Sequence, residues 1–463
     1  MGATLDFATE LKPEVRGSST SRLPAILRSA AGALALGAVL IGASGCGDVF
    51  RPPVASISPV GPAAQPTKYD LVVSDPGSGR PGLFTIVDVS GDTVLNTTQI
   101  GVAPKYFALG YSGTEAYVLN TDGSINSFGV SPYLLSNQVQ TSTLFTGAGA
   151  TSIFPASSYT YITEPYTAGN AKVAEAQGSP PSVKQELSVG NNPVYIAGNA
   201  SASRIYAISQ AANTVTAIQT STNTISNVLP VGTSPVFGVM SSDNNRAFIL
   251  NQGSNSVSVI NVNSNQLDTP PAGNPIPVGG GPVWADTYAQ GSLLVTANST
   301  GNSVSVISVP LCSIVALPTN PNCDSNNPTD AATFGTVLGT VPVGTDPTMV
   351  SILQDGTRAY VANTNAGNAT GGSVSVVNLN SFVVTKTILF DGNTTNTDGS
   401  TNVNHGPLCH PNFINAVTGT PTGKVYVTCA DGQLLTILET QTDTVRTTIN
   451  LQGYAVQQRV NAQ

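Results

Sequence analysis

VGTDPTMVSILQDGTRAYVANTNAGNATGGSVSVVNLNSFVVTKTIL, residues 343–389, decides the fold. After Pro347, TMVSIL reads as a first strand. Asp355-Gly356 is a two-residue turn that tolerates positive φ, and TRAYVAN returns as a second strand. NAGNATGG turns the chain again, SVSVVNLN alternates as a third strand, and VVTKTIL supplies a fourth. Such a four-stranded unit exposes two apolar faces and is only marginally stable alone, so it has to stack against copies of itself.

Copies are present along most of the chain. The step into the first strand recurs as VAP ending at Pro104, GAGA at Ala150, VGNNP at Pro193, VGTSP at Pro235, VGGGP at Pro282, VGTDP at Pro347 and LCHP at Pro411. The first four spacings are 46, 43, 42 and 47 residues, near the period of about 40 to 45 that one propeller blade requires. The last two, 65 and 64, carry extra loops at 311–333 and 390–404. Helical periodicity is absent after residue 46. The expected fold is therefore an all-β propeller of four-stranded blades.

Seven units start at these anchors, and a partial eighth precedes them: YDLVVS from Tyr69, LFTIVDV from Leu83 and VLNTTQI from Val94. This partial unit lacks an innermost strand, while GYAVQQRV from Gly453 is a strand left over at the other end. Pairing the two gives eight blades in a ring closed by both termini, with seven as the alternative; closure would remove exposed sheet edges.

Tyr360-Val361-Ala362-Asn363, with Ser373-Val374-Ser375-Val376 behind it, resembles the YVTN family of β-propeller repeats, found in surface-layer and periplasmic proteins. The resemblance spans residues 100 to 450. It departs at Ala150, which replaces the anchor proline, at YITE (Tyr161 to Glu164), at Ser209, and at Cys429, which stands where the Asn is expected. The resemblance implies the scaffold and an envelope setting, and says little of chemistry.

The amino terminus bears on compartment. Arg22 and Arg28 precede AAGALALGAVLIGASG, an apolar stretch short for a membrane span. Ala43-Ser44-Gly45-Cys46 resembles a lipobox, in which Cys46 is lipidated and becomes the first residue. Residues 1–45 are then a signal peptide, 46–66 a Pro-rich tether and 67–463 the propeller. The expected location is the cell envelope, lipid-anchored at the outer membrane or periplasmic face. Four cysteines remain, and among three possible pairings the local one is preferred: Cys312 with Cys323, and Cys409 with Cys429.

Past residue 45 the chain has 13 basic and 22 acidic side chains, which excludes a nucleic-acid partner that needs clustered Lys and Arg. Only 9% of residues are charged and there are two histidines, a poor supply of catalytic acids and bases. No nucleophile elbow, metalloprotease helix or phosphate loop occurs. His405 and His410 flank Cys409, yet an exported, disulfide-bonded cysteine is no metal ligand, so no metal, cofactor or catalytic residue is expected. DGNTTNTDGSTN from Asp391 lacks the terminal Glu of an EF-hand and reads as a solvated loop. Trp284, the lone tryptophan, reads as blade packing.

One constellation follows from the repeat. The residues just before each anchor, Ala103, Gly149, Asn192, Ser234, Gly281, Asp346 and His410, should ring one mouth of the central channel. Asn192, Asp346 and His410 are the candidate ligand contacts there. The expected function is a non-catalytic binding or scaffold propeller, tethered to the membrane and facing an envelope protein or a polysaccharide. The alternative is a propeller enzyme of lactonase or quinoprotein type, with its site at the channel mouth.

Overall fold

The computed structural model describes residues 68–461 apart from 111, 144–148, 165–170, 200–201, 242, 288–292, 310–332 and 418–422. Residues 1–45 and 46–66, expected to be a signal peptide and a tether with Cys46, and most of the first insertion with Cys312 and Cys323 lie outside the described residues. All described residues belong to the second of two units, Pro66–Gln463.

Eight antiparallel sheets, each with a four-stranded path, form a ring. They are named here blades 1 to 8: residues 69–102 with 454–460, 104–143, 153–188, 193–230, 235–277, 282–342, 347–389 and 411–450. In blade 1 the strand Tyr454–Val460 pairs antiparallel with Tyr69–Asp75. The innermost strands, from Tyr454–Val460 and Pro104–Leu109 round to Pro347–Ile352 and Pro411–Val417, each pack against the innermost strand of the next blade. The structure is an eight-bladed β-propeller.

Burial follows from this stacking. Second and third strands are sandwiched between neighbouring blades, so nearly every position of Arg358–Asn363 and Ser373–Asn378 is buried, whereas the outermost Val383–Leu389 alternates with solvent. The core is a set of wedges between blades. Blades 7 and 8, for example, share Tyr360, Val374 and Val376 with Ile414, Val425 and Val427. A fully buried Val or Leu contributes about 1.5–3 kcal/mol, and each blade supplies such groups to both neighbours.

The repeated VGxxP…AYVAN…SVSV signature is one device. In blade 7, Asn363 Nδ2 donates to the hydroxyls of Ser373 (3.1 Å) and Ser375 (2.9 Å), and the Gly344 N–H donates to Ser375 (3.4 Å). Blade 5 repeats it with Asn251, Ser256, Ser258 and Gly232, and blade 6 with Asn298, Ser303, Ser305 and Gly279. The glycine is sterically required, since a Cβ on Gly344 would lie 2.7 Å from Asn363 Cγ. The residue before the anchor is left-handed at Ala103, Asn192, Ser234, Gly281 and Asp346, with φ between 50° and 64°, which favours Gly, Asn and Asp. In blade 8 a Cys409–Cys429 disulfide, Cα–Cα 6.0 Å, takes the place of the asparagine device.

A second set of contacts crosses four of the eight joints at the rim. Side chains of a blade's second strand reach the hairpin between the third and outermost strands of the following blade. Tyr161 of blade 3 donates to Asn223 (2.5 Å), Arg204 of blade 4 to the Val262 carbonyl (2.5 Å), and Arg358 and Tyr360 of blade 7 to Asp443 (2.7 and 2.5 Å). Lys424 of blade 8 bonds Asp92 of blade 1 at 2.5 Å, with both side chains buried. These charges are hydrogen-bonded as well as paired, as burial demands.

The two insertions interrupt the period at different places. The first falls between the third and fourth strands of blade 6, after Ser303–Ser308 and before Val337–Pro342. The second joins blades 7 and 8 and folds back on the outermost strand through a Leu389–His405 bridge.

Candidate functional site

The site is built by a backbone irregularity that every anchor proline introduces. Proline has no N–H for the ladder, and pairing slips by one residue after Pro104, Pro193, Pro235, Pro282, Pro347 and Pro411. Beyond this bulge, the residues two and four places on line the central channel. They enclose a cavity of about 540 Å³, within the range of small-ligand sites.

The positions two past the anchor give the cavity an aromatic wall: Tyr106, Tyr195, Phe237 and Trp284, followed by Met349. Tyr195 and Phe237 have ring centroids 4.6 Å apart, and Phe237 stacks on Trp284 at 4.2 Å. The positions four past the anchor are mixed: Ala108, Val239, Asp286, Ser351, Asn415 and Arg459. Phe154 of blade 3 occupies the same place. Gly110, Ser112, Gly113, Pro155 and Asn461 put the cavity's rim at the far ends of the inner strands, away from the anchors.

Arg459, on the inner strand of blade 1, reaches across to blade 6 and lies over Trp284, 5.4 Å from the ring centroid. This is a cation–π geometry. Arg459 also lies near the phenols of Tyr106 and Tyr195. Burial raises both phenols above their ordinary range, while the Arg459 charge pulls the pKa of both down. Arg459 forms no ion pair among the described residues. Asp286 is the acid facing it, and its oxygens accept the N–H groups of Ile352 (2.8 Å) and Thr287 (2.9 Å). Burial pushes the Asp286 carboxyl up to about 6, against the pull of those donors and of Arg459. The cavity therefore offers a half-buried cation, a carboxyl whose pKa is raised by burial, and flat aromatic faces. Among the described residues no three His, Cys, Asp or Glu side chains stand close enough to hold a metal.

None of the residues preceding the anchors lines this cavity. Asn192 donates to Gln210 (2.9 Å). The Asp346 carboxylate accepts from Ser299 of blade 6, and its N–H donates to Asn302 (2.8 Å). His410 is held between Asp431 (2.5 Å) and the Asn368 carbonyl (2.8 Å), and the Asp431 hydrogen bond raises its pKa. These side chains knit neighbouring loops. His405 bonds Asp391 at 2.8 Å, stabilising the second insertion. Trp284, expected to serve packing alone, packs between blades 6 and 7 and also faces the cavity. The aromatic wall was readable in principle by stepping two residues past each anchor instead of one before it, whereas the strand of Arg459 carries no anchor.

The fold and cavity define the class, an eight-bladed β-propeller with an aromatic-lined central cavity. Among solved structures it is similar to the dihydro-haem d1 dehydrogenase NirN in complex with DHE, with a TM-score of 0.60 and 12% identity over 88% of this chain and 78% of that one. It is also similar to a candidate 6-phosphogluconolactonase from Bacteroides fragilis, with a TM-score of 0.51 and 14% identity over 86% of this chain and 99% of that one. At these identities the likeness is one of fold. No family model and no curated protein sequence matches the chain.

Proposed function

We propose that this chain is an exported, lipid-anchored β-propeller of YVTN type that binds a small molecule in its central cavity. The observation that carries the binding reading is the lining: four stacked or adjoining aromatic side chains and one cation with no ion pair among the described residues, converging on about 540 Å³. An aromatic channel with a single charged anchor is how small-ligand sites combine affinity with orientation. The loop residues before the anchors are the weaker candidates, because their polar groups already serve neighbouring loops.

Trp284 is the chain's only tryptophan, so its emission reports on the cavity. In a screen of small molecules, compounds that shift Trp284 emission should lose affinity in Val239→Phe, which fills the lumen. Ligands whose affinity is indifferent to that substitution would move the site elsewhere. Export and tethering are supported by the apolar stretch ending at Cys46, and the Cys409–Cys429 disulfide suits an oxidising compartment. Cys46→Ser should release the protein from the membrane fraction or leave it unprocessed; an unchanged membrane-bound mature form defeats the anchor.

A second reading, an enzyme, is favoured by Asp286. A carboxyl held at about 6 beside an arginine suits general acid–base work near neutrality. Both fold neighbours named above carry enzyme names. Under this reading Asp286→Asn abolishes turnover of a bound compound while its binding persists, and under the binding reading no turnover is found.

A further inference from the structure

We propose that the cavity selects a small aromatic monocarboxylate, its carboxylate on the edge of Arg459 and its ring against the aromatic wall; this rests on the cavity being the binding site. The guanidinium has one face against Trp284 and stands near the Tyr106 phenol, so its remaining edge is open to a ligand in the cavity. A planar fork held this way matches a carboxylate through two parallel N–H bonds.

The resident acid is not its counter-ion. Both Asp286 oxygens are taken by backbone N–H groups, and no carboxylate comes within ion-pair distance of Arg459 among the described residues. A half-buried cation stacked on a ring, with no carboxylate at ion-pair distance among the described residues, still has an edge on which an incoming anion can form charge-assisted hydrogen bonds. The same Asp286 limits the charge of that anion. With one positive and one negative group in the lumen, a single carboxylate is accommodated on Arg459 and a second meets repulsion from Asp286 at short range. Tyr195, Phe237 and Phe154 offer ring faces and edges to the apolar part of the ligand.

The test uses the full mature protein and three probes measured by calorimetry: 2-naphthoate, its neutral isostere 2-naphthamide, and naphthalene-2,6-dicarboxylate. The expected order is naphthoate tightest, by at least roughly tenfold over the amide, as a charge-assisted bidentate pair allows. Arg459→Gln should abolish the preference for the acid while leaving affinity for the amide unchanged. Arg459→Lys, which keeps the charge and loses the fork, should retain only part of it. Asp286→Asn should admit the dicarboxylate. Equal affinity for acid and amide, or a preference that survives Arg459→Gln, overturns the inference. If none of the probes binds while other compounds still shift Trp284 emission, the ligand class is wrong and the cavity reading stands. Naphthoate binding that leaves Trp284 emission unchanged would sink the cavity itself.

Discussion

Blades 7 and 8 solve one problem in two ways. In each, the loop entering the innermost strand must be held against the end of the second strand. Blade 7 uses Asn363, Ser373, Ser375 and Gly344, four residues that depend on one another: the asparagine needs two hydroxyls, and the glycine must lack a Cβ to let the asparagine in. It leaves the Asn363 carbonyl oxygen buried without a partner. Blade 8 uses one bond between Cys409 and Cys429. With the asparagine gone, the register places Leu434 opposite Cys429 where Ser373 sits opposite Asn363, and Leu408 occupies the place of Gly344, half-exposed. The departures from the repeat in blade 8 are thus one event: a covalent tie removes the constraint on two other positions, while Thr436 keeps a hydroxyl at the place of Ser375.

That comparison breaks most decisively at the disulfide. Cys409→Ala with Cys429→Ala opens a loop closed over 20 residues and is expected to cost about 3 kcal/mol, read by chemical denaturation, with hydrogen exchange rising first in blade 8. Next comes the glycine. Gly344→Ala should cost about 1–3 kcal/mol through forced displacement of Asn363, while Leu408→Ala at the equivalent place should fall within about 0.5 kcal/mol of the parent. A graft sharpens the point: Thr345→Cys with Asn363→Cys should form a disulfide in blade 7, and in that background Gly344→Ala should lose most of its cost. A penalty that stays at its full size would show that the glycine answers to something other than the asparagine.

The smallest effect concerns the residues just before the two anchors. Asp431 raises the pKa of His410 in blade 8. A histidine whose folded pKa lies above its unfolded value stabilises fully below the unfolded pKa and loses that contribution as pH rises through the folded one. Because the pair is partly solvated, the loss should be under about 1 kcal/mol. It should vanish in His410→Asn, as denaturation followed against pH would show.

Much of the scaffold was legible because its signals are local. Positive φ before the anchor, turn pairs such as Asp355-Gly356, and strands buried on both faces each leave a mark on nearby residues, and those marks repeat. The site was less legible, since it depends on which way a side chain points after a bulge. The proline that marks the anchor also displaces the register by one residue, so Tyr195, Phe237 and Trp284 face the channel although no periodic rule applied to the strand alone would single them out. Arg459 was hidden differently: its strand matches the repeat poorly, and its partner Trp284 lies 175 residues away in the sequence. Asp346 and His410 stood out for the converse reason. They are titratable, but their roles are set by turn geometry and neighbouring loops.

The rim contacts give the ring a direction. Tyr161, Arg204, Arg358 and Lys424 each reach forward to the blade that follows, like roof tiles laid with one overlap. A hairpin that lifts at the rim of one blade therefore uncovers a polar side chain in the blade before it and leaves the blade after it sealed. Weathering of such a disc is expected to travel backwards round the circle from wherever it begins.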